Sequence, residues 1–302
     1  MRWGNVIANP SVQSRSSKNL AKLPVGGWVV NPVHDSLRAI TNLSRGKSMT
    51  LFDLSGKTAI ITGASRGIGE AIARRFAQHG ANVVVSSRKA DACDEVTNSI
   101  NEEYPGKALT IPCNISEKEQ LQNLVDKTRE YFGQIDVLVC NAALNPYFGP
   151  AMDCPDEAFD KIMSANVKSN HWLANMVLPE MLERENGSII IVSSIGGLKG
   201  SPVIGTYCIS KAADFQLVRN LAVEHGSKNV RANAIAPGLI KTYFAKALWD
   251  NPDILEQSTS TTPLKRIGLP DEIAGAAVFL ASDAGAFMTG QQMVIDGGQT
   301  IA

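Results

Sequence analysis

Two side chains in this sequence are spaced to move a proton. Tyr207 and Lys211 stand four residues apart in Tyr207-Cys208-Ile209-Ser210-Lys211, near the start of a helical pattern. Residues i and i+4 share a helix face, so the phenol and the ammonium are neighbours. A tyrosine is neutral near pH 7, with an ordinary pKa of about 10. An adjacent ammonium favours the phenolate and lowers that value, which gives a proton donor and acceptor usable near neutral pH. Tyr-x-x-x-Lys also occurs on helix surfaces with no chemical role, so its companions in the chain carry the weight. Ser194 lies thirteen residues before Tyr207, at a strand end ahead of Gly196-Gly197. Asn166 sits within the long preceding helical stretch, Asn141-Ala142-Ala143 follows the fourth strand, and Pro237 to Thr242 follow the sixth.

A second group of residues is suited to holding an anion. Thr62-Gly63-Ala64-Ser65-Arg66-Gly67-Ile68-Gly69 joins an apolar strand pattern, Lys57 to Thr62, to a helical one, Glu70 to His79. Glycines let the backbone approach a ligand with no Cβ in the way. The free N–H groups and positive dipole of the helix start then face a phosphate. The spacing is G-x-x-x-G-x-G rather than G-x-G-x-x-G, and an ordinary Gly-rich turn is the competing reading.

The elements that must position these residues alternate along the chain. Strand patterns at Lys57–Thr62, Asn82–Ser86, Ala108–Ile111, Ile135–Cys140, Ser188–Ser193, Val230–Ile235 and Gln292–Ile295 are separated by helical ones. The helical patterns are Glu70–His79, Lys89–Glu103, Glu117–Phe132, Asp156–Glu183, Thr206–Glu224 and Asp271–Leu280, with Pro179 expected to bend or break the longest. Such alternation predicts an α/β fold: one doubly wound parallel sheet of about seven strands, with helices on both faces. Crossovers should be right-handed, and ligands should bind beyond the carboxyl ends of the strands. Tyr243 to Leu264 stands apart, combining Tyr243, Phe244, Leu248 and Trp249 with the polar tract Gln257 to Thr262. It reads either as a surface helix and loop or as a lid over an active site.

Composition narrows the function classes. The 302 residues are 44% hydrophobic and 19% charged, enough for one large domain. A formal net charge of zero points away from nucleic acid. Residues 1–48 hold seven basic side chains against Asp35 alone, a balance of +6, so the rest of the chain carries −6. That segment is expected to be a disordered extension, with Met49 opening the working domain of residues 49–302; an organelle-targeting presequence is the alternative. The cysteines, Cys93, Cys113, Cys140, Cys154 and Cys208, are scattered and odd in number, which suits a reducing compartment. The histidines form no metal-ligand spacing, and no metal is expected. His79 and His225 each precede a glycine at a helix end and read as structural. No apolar run is long enough for a bilayer, so no membrane partner is expected.

Taken together, these residues resemble the classical short-chain dehydrogenase/reductase family over about Leu51 to Ala302. The motifs are T-G-x-x-x-G-x-G at Thr62 to Gly69, the Asn-Ala element at Asn141, and the tetrad Asn166, Ser194, Tyr207 and Lys211. The Pro-Gly element at Pro237 completes the set. Two departures are visible. The usual Asn-Asn-Ala-Gly reads Cys140-Asn141-Ala142-Ala143, and the usual Asp after the third strand is Asn114. Val83 to Lys89, Asn141 to Gly149 and Ala236 to Thr242 are similar to the family's branch of NADPH-dependent carbonyl and retinal reductases, the dehydrogenase/reductase member 4-like proteins. That branch often ends in a Ser-Lys-Leu-type tripeptide; Thr300-Ile301-Ala302 stands there instead, and a cytoplasmic location is expected.

The resemblance implies a Rossmann domain, a homotetramer, and hydride transfer between a nicotinamide and a small ketone, aldehyde or alcohol. Tyr207 would protonate the forming alkoxide, and Ser194 would hold the carbonyl oxygen. Lys211 would lower the Tyr207 pKa and bind the nicotinamide ribose. Asn166 would position a water relaying protons to Lys211. The cofactor site falls on Gly63, Ser65, Arg66, Gly67, Ile68 and Gly69 in the turn, and on Ser87 and Arg88 after the second strand. It continues through Asn114 and Ile115, Asn141, Ala142 and Ala143, then Tyr207 and Lys211, and finally Pro237, Gly238, Ile240 and Thr242. The 3-oxoacyl-carrier-protein reductases share the tetrad; docking an acidic carrier needs a basic face, which the −6 balance after residue 48 disfavours. A catalytically dead NADP(H)-binding regulator would need no Tyr–Lys pair. NADP(H) is expected over NAD(H), because the position that carries an acid in NAD-specific enzymes is Ser87, twenty-four residues after Gly63, followed by Arg88. Arg66 and Arg88 can together grip a 2′-phosphate.

Overall fold

The computed structural model describes residues 50–302. The expectation for residues 1–48 lies outside the described residues.

The strands are short, β-branched and apolar, and they pair in parallel as seven strands in the order β3-β2-β1-β4-β5-β6-β7. They are β1 Thr58–Thr62, β2 Asn82–Ser86, β3 Ala108–Thr110, β4 Val137–Cys140, β5 Gly187–Val192, β6 Val230–Pro237 and β7 Gln292–Ile295. Every residue of β1, β4 and β5 is buried, as a sheet covered on both faces requires. Alternation along each strand divides the core in two. Ala59, Ile61, Val83 and Val85 face one layer, in which α1 (Gly67–Gln78), α2 (Ala90–Glu103) and α8 (Pro270–Ala281) bury Ile72, Phe76, Val96 and Ile273. Ile60, Val84, Leu138 and Ile189 face the other, with Leu121 and Leu124 of α3 (Lys118–Phe132), Leu173 and Val177 of α5 (Ser169–Glu183), and Phe215 and Val218 of α6 (Gly205–His225). The strand order reverses between β1 and β4, which opens a crevice at their carboxyl ends.

The long helical stretch breaks elsewhere than expected. Pro179 lies inside α5, while the departure from α geometry is a π-helical turn, Ser164–Lys168, between α4 (Asp156–Met163) and α5. That turn carries Asn166, and π turns within helices recur at functional sites. After β6 the segment from Tyr243 to Leu264 forms a 3-10 turn, Lys246–Leu248, and a short helix α7, Pro252–Thr259. His79 caps the end of α1, and His225 is the last residue of α6, as their positions before glycines suggested.

Candidate active site

Two side chains, Thr62 and Asn141, tie the ends of β1 and β4 together at the crevice. The Thr62 hydroxyl accepts from the backbone N–H groups of Asn141 at 3.0 Å and Ala142 at 3.1 Å. Asn141 returns the link, its Nδ2 donating to the carbonyls of Thr62 at 2.9 Å and Gly63 at 3.2 Å. Asn141 therefore shapes the Gly-rich turn through its side chain. Gly63 and Gly67 sit at φ +66° and +63°, the left-handed region that glycine tolerates. A Cβ on Gly67 would come within 3.2 Å of Thr242 Cγ2, so the segment after β6 closes on the turn from the far side. Helix α1 starts in this turn with no side-chain cap, and an uncapped helix N-terminus favours an anion such as a pyrophosphate.

The end of β2 is uncharged and flanked by cations. Ser87 and Ser65 hydroxyls are 3.0 Å apart, joining the strand end to the turn. Arg66 and Arg88 are exposed, and among the described residues neither forms an ion pair with an acid. Arg66 instead lies 4.4 Å over the Tyr243 ring, a cation–π contact. Asn114 lies beyond β3, where its Oδ1 accepts from the Ser116 N–H at 3.3 Å, with Ile115 between them. Pro237 ends β6, Gly238 donates to the Ile295 carbonyl at 2.9 Å, and Ile240 is buried.

The residues expected to carry protons converge at the carboxyl ends of β4 and β5. Ser194 follows β5, and its hydroxyl accepts from the Gly196 N–H at 3.0 Å. A Cβ on Gly196 would lie 3.3 Å from the Ser194 hydroxyl and 3.8 Å from the Tyr207 ring, so serine and phenol border the same small space. Asn166 is fully buried, and its side chain holds the loop after β4 at both backbone groups of Leu144, at 2.9 and 3.0 Å. It also donates to Ser210 on α6 at 3.1 Å. Lys211 is 2% exposed; its Nζ donates to the Val192 carbonyl at 2.9 Å and to Asp214 at 3.1 Å, and lies 5.7 Å from the Tyr207 ring centroid.

The electrostatics differ from the helix-spacing argument in one respect. Burial pushes the Tyr207 phenol above its ordinary value; Lys211 and Ser194 pull it down without overcoming that penalty, and Asp214 adds to the rise. For Lys211 burial disfavours the ammonium, but Asp214 and Tyr207 outweigh it and the net shift is upward. The Asn166 carbonyl accepts from Asn170 Nδ2 at 2.7 Å. Asn170 and Asp214 escaped the sequence reading. Their signal was helical spacing, one at i+4 from Asn166 and the other at i+3 from Lys211.

The segment after β6 lies against both halves of the site. Beside the Tyr243 contact to Arg66, the Phe244 ring sits 6.1 Å from that of Tyr207. The Trp249 indole donates to the Thr242 carbonyl at 2.8 Å, fastening the segment to the loop that closes on Gly67.

A Gly-rich turn at the switch point of a doubly wound sheet, beside a Tyr–Lys pair, defines a dinucleotide-dependent oxidoreductase. Residues 63–300 match the family model described as Enoyl-(Acyl carrier protein) reductase. Dehydrogenase/reductase SDR family member 4 of Bos taurus is 43% identical over 245 residues, spanning 81% of this chain and 88% of that protein. Among solved structures, 7 alpha-hydroxysteroid dehydrogenase complexed with NADH and 7-oxo glycochenodeoxycholic acid is 39% identical with a TM-score of 0.78, covering 82% of this chain and 96% of that one. A gluconate 5-dehydrogenase from Burkholderia cenocepacia in complex with NADP and tartrate is 31% identical with a TM-score of 0.79, covering 83% and 98%. The chain belongs to the short-chain dehydrogenase/reductase family. It is an oxidoreductase acting on carbonyl or alcohol groups and binding NAD(P)(H). Among the described residues no helix is long and apolar enough to cross a membrane.

Proposed function

We propose that this protein is an NADPH-dependent ketone or aldehyde reductase working through Tyr207, Lys211, Ser194 and Asn166. A bound NADPH would supply the hydride to the carbonyl carbon, and NADP+ would accept it in the reverse direction. Tyr207 gives its phenolic proton to the alkoxide as the carbonyl is reduced; burial keeps it protonated for that purpose at neutral pH. Ser194 steadies the carbonyl oxygen with a hydrogen bond that strengthens as negative charge develops. Lys211 keeps a positive charge beside the phenol, so that the phenolate left behind is stabilised. Asn166 fixes the loop after β4 and with it the floor of the site.

One observation carries the cofactor preference: an uncharged Ser65–Ser87 pair at the end of β2, flanked by the exposed Arg66 and Arg88. Exposed Phe148, Phe244 and Leu248 favour a lipophilic carbonyl. The five free cysteines accord with a reducing, cytoplasmic setting, and the family resemblance with a homotetramer. The test is kcat/KM with NADPH and NADH on a panel of diketones, retinal and acetoacetyl thioesters. NADPH should be preferred, and Ser87→Asp with Arg88→Ala should swing the preference toward NADH. Equal or better use of NADH by the wild-type enzyme overturns the role given to Arg66 and Arg88. Absence of turnover on every carbonyl overturns the activity itself.

A further inference from the structure

Lys211 and Asp214 form the one ion pair among the described residues in which both side chains are essentially buried, at 2% and 0% exposure. Burying two charges is costly, and apolar residues of similar volume commonly stabilise a fold as well or better. A pair kept in such a place therefore calls for a role beyond stability. Its surroundings are complete. Asp214 Oδ2 accepts from Lys211 at 3.1 Å and Oδ1 from Asn170 Nδ2 at 3.0 Å. The same Nδ2 donates its other hydrogen to the Asn166 carbonyl at 2.7 Å. Three side chains thus run in series from the π-helical turn of Asn166 to the ammonium of Lys211. A parallel bond from Asn166 to Ser210 fixes the two helices at the same level.

We propose that Asp214 is the positioning residue of this active site: bridged by Asn170 to the Asn166 backbone, it holds the Lys211 ammonium in place beside Tyr207. This rests on the role given to Lys211 under the proposed function. An ammonium has three donors. Val192 and Asp214 take two, and the third is left for the phenol side of the site or for a bound ribose. Asp214 also holds the charge itself. Burial opposes an ammonium here, and Asp214 is the first of the groups that offset it. The other titratable groups nearby are Tyr207 on the same helix and Cys140 at the end of β4, whose thiol burial keeps protonated. Cys208, which borders Tyr207, is likewise held as the thiol by burial. Burial also pushes Asp214 up, against the pull of Lys211, Asn170 and Ser193. At Tyr207 the field of Lys211 outweighs that of Asp214. Losing the lysine charge therefore disfavours the phenolate, whereas losing the aspartate charge alone would favour it.

That opposition of signs supplies the test. Asp214→Asn keeps the shape and the acceptor for Asn170 but removes the charge. In the full chain without cofactor, carbon-labelled lysine followed by NMR reads Lys211 directly, its signal identified by its loss in Lys211→Met. The Lys211 midpoint should fall by about 3–5 pH units in Asp214→Asn, as for a fully buried lysine without a partner, so that it is neutral where the phenol ionises. With NADP+ and a secondary alcohol, the pH profile of oxidation should move to the alkaline side by about one unit, and kcat should drop about 10- to 100-fold. An unchanged Lys211 midpoint, or an acid shift of the profile, overturns the proposal, because Lys211 would then hold its charge unaided. Should Asp214→Asn fail to fold, the double variant Lys211→Met, Asp214→Asn decides: recovery of a cooperative melt supports the pairing and continued failure overturns it. A wild-type enzyme inactive on all carbonyls would remove the proposed function while leaving the NMR titration readable.

Discussion

In the proposed mechanism the hydroxyl and the ring of Tyr207 do separate work, and substitution separates them. Tyr207→Phe keeps the ring that packs near Phe244 and Lys211 and removes the proton. We expect loss of turnover by about 10²–10⁴ with NADPH binding nearly intact; a variant keeping more than roughly a tenth of wild-type kcat would place the acid elsewhere. Because the phenol is shifted upward by burial, the two directions of reaction should depend on pH with opposite sign. Reduction needs the protonated phenol, so it should hold through neutral pH and decline as the phenol ionises. Alcohol oxidation needs the phenolate and should climb over the same range. Parallel profiles in both directions would contradict this. At Arg66 the expectation concerns the cofactor. Its guanidinium has no acidic partner among the described residues and rests on Tyr243. A charge-assisted bond contributes about 1.5–3 kcal/mol, so Arg66→Ala should weaken NADPH roughly ten- to a hundredfold, with NADH little changed. Isothermal titration with both nucleotides measures the difference.

Among the elements, β1 and β4 depend on Thr62 for their common end. Its hydroxyl is the acceptor for two backbone N–H groups after β4, and the residue is 2% exposed. Thr62→Val preserves shape and β-propensity but leaves those donors without an acceptor, at about 1–3 kcal/mol for a buried unsatisfied group. A fall in Tm of about 2–12 °C is expected for a domain of this size, together with weaker cofactor binding, because Asn141 and the Gly-rich turn would lose their anchor. An unchanged melt would show that the turn is held by its glycines and by Asn141 alone. The π-helical turn Ser164–Lys168 has a similar positional role: it brings the Asn166 amide to Leu144 and its carbonyl to Asn170.

Over the whole molecule, the site is assembled from residues that the chain supplies between Gly63 and Thr242, and the sheet order brings them together at one crevice. Both layers of core lie within the described residues, and the family match runs from 63 to 300. The basic, acid-poor composition of residues 1–48 suits a segment outside that core. A chain beginning at Met49 should therefore retain its melting temperature, its oligomeric state and its turnover. Differential scanning calorimetry and size-exclusion chromatography of the two lengths measure this, and a clear loss on trimming would show that the segment packs on the domain.

The alternation of strand and helix, the Gly-rich turn and the Tyr207–Lys211 spacing were legible in the sequence, because each is a local pattern. Period-two and period-3.6 hydrophobicity reports which face is buried, and i to i+4 spacing on a helix fixes neighbours without reference to the rest of the fold. The strand β2, Asn82–Ser86, and β7, Gln292–Ile295, fall where that pattern placed them. The place of the break in the long helix did not, since Pro179 is accommodated inside α5 while the π turn forms at Asn166. Proline marks a missing donor in any sequence, whereas a π turn is rare and has no comparable mark in the residue pattern. Burial decided the remainder. Spacing alone brings Tyr207 down in pKa, but the tertiary structure closes the site around it and reverses the sign. It also joins Asn170 to Asp214, ordinary polar residues in the sequence, across helices that only the packed fold brings side by side.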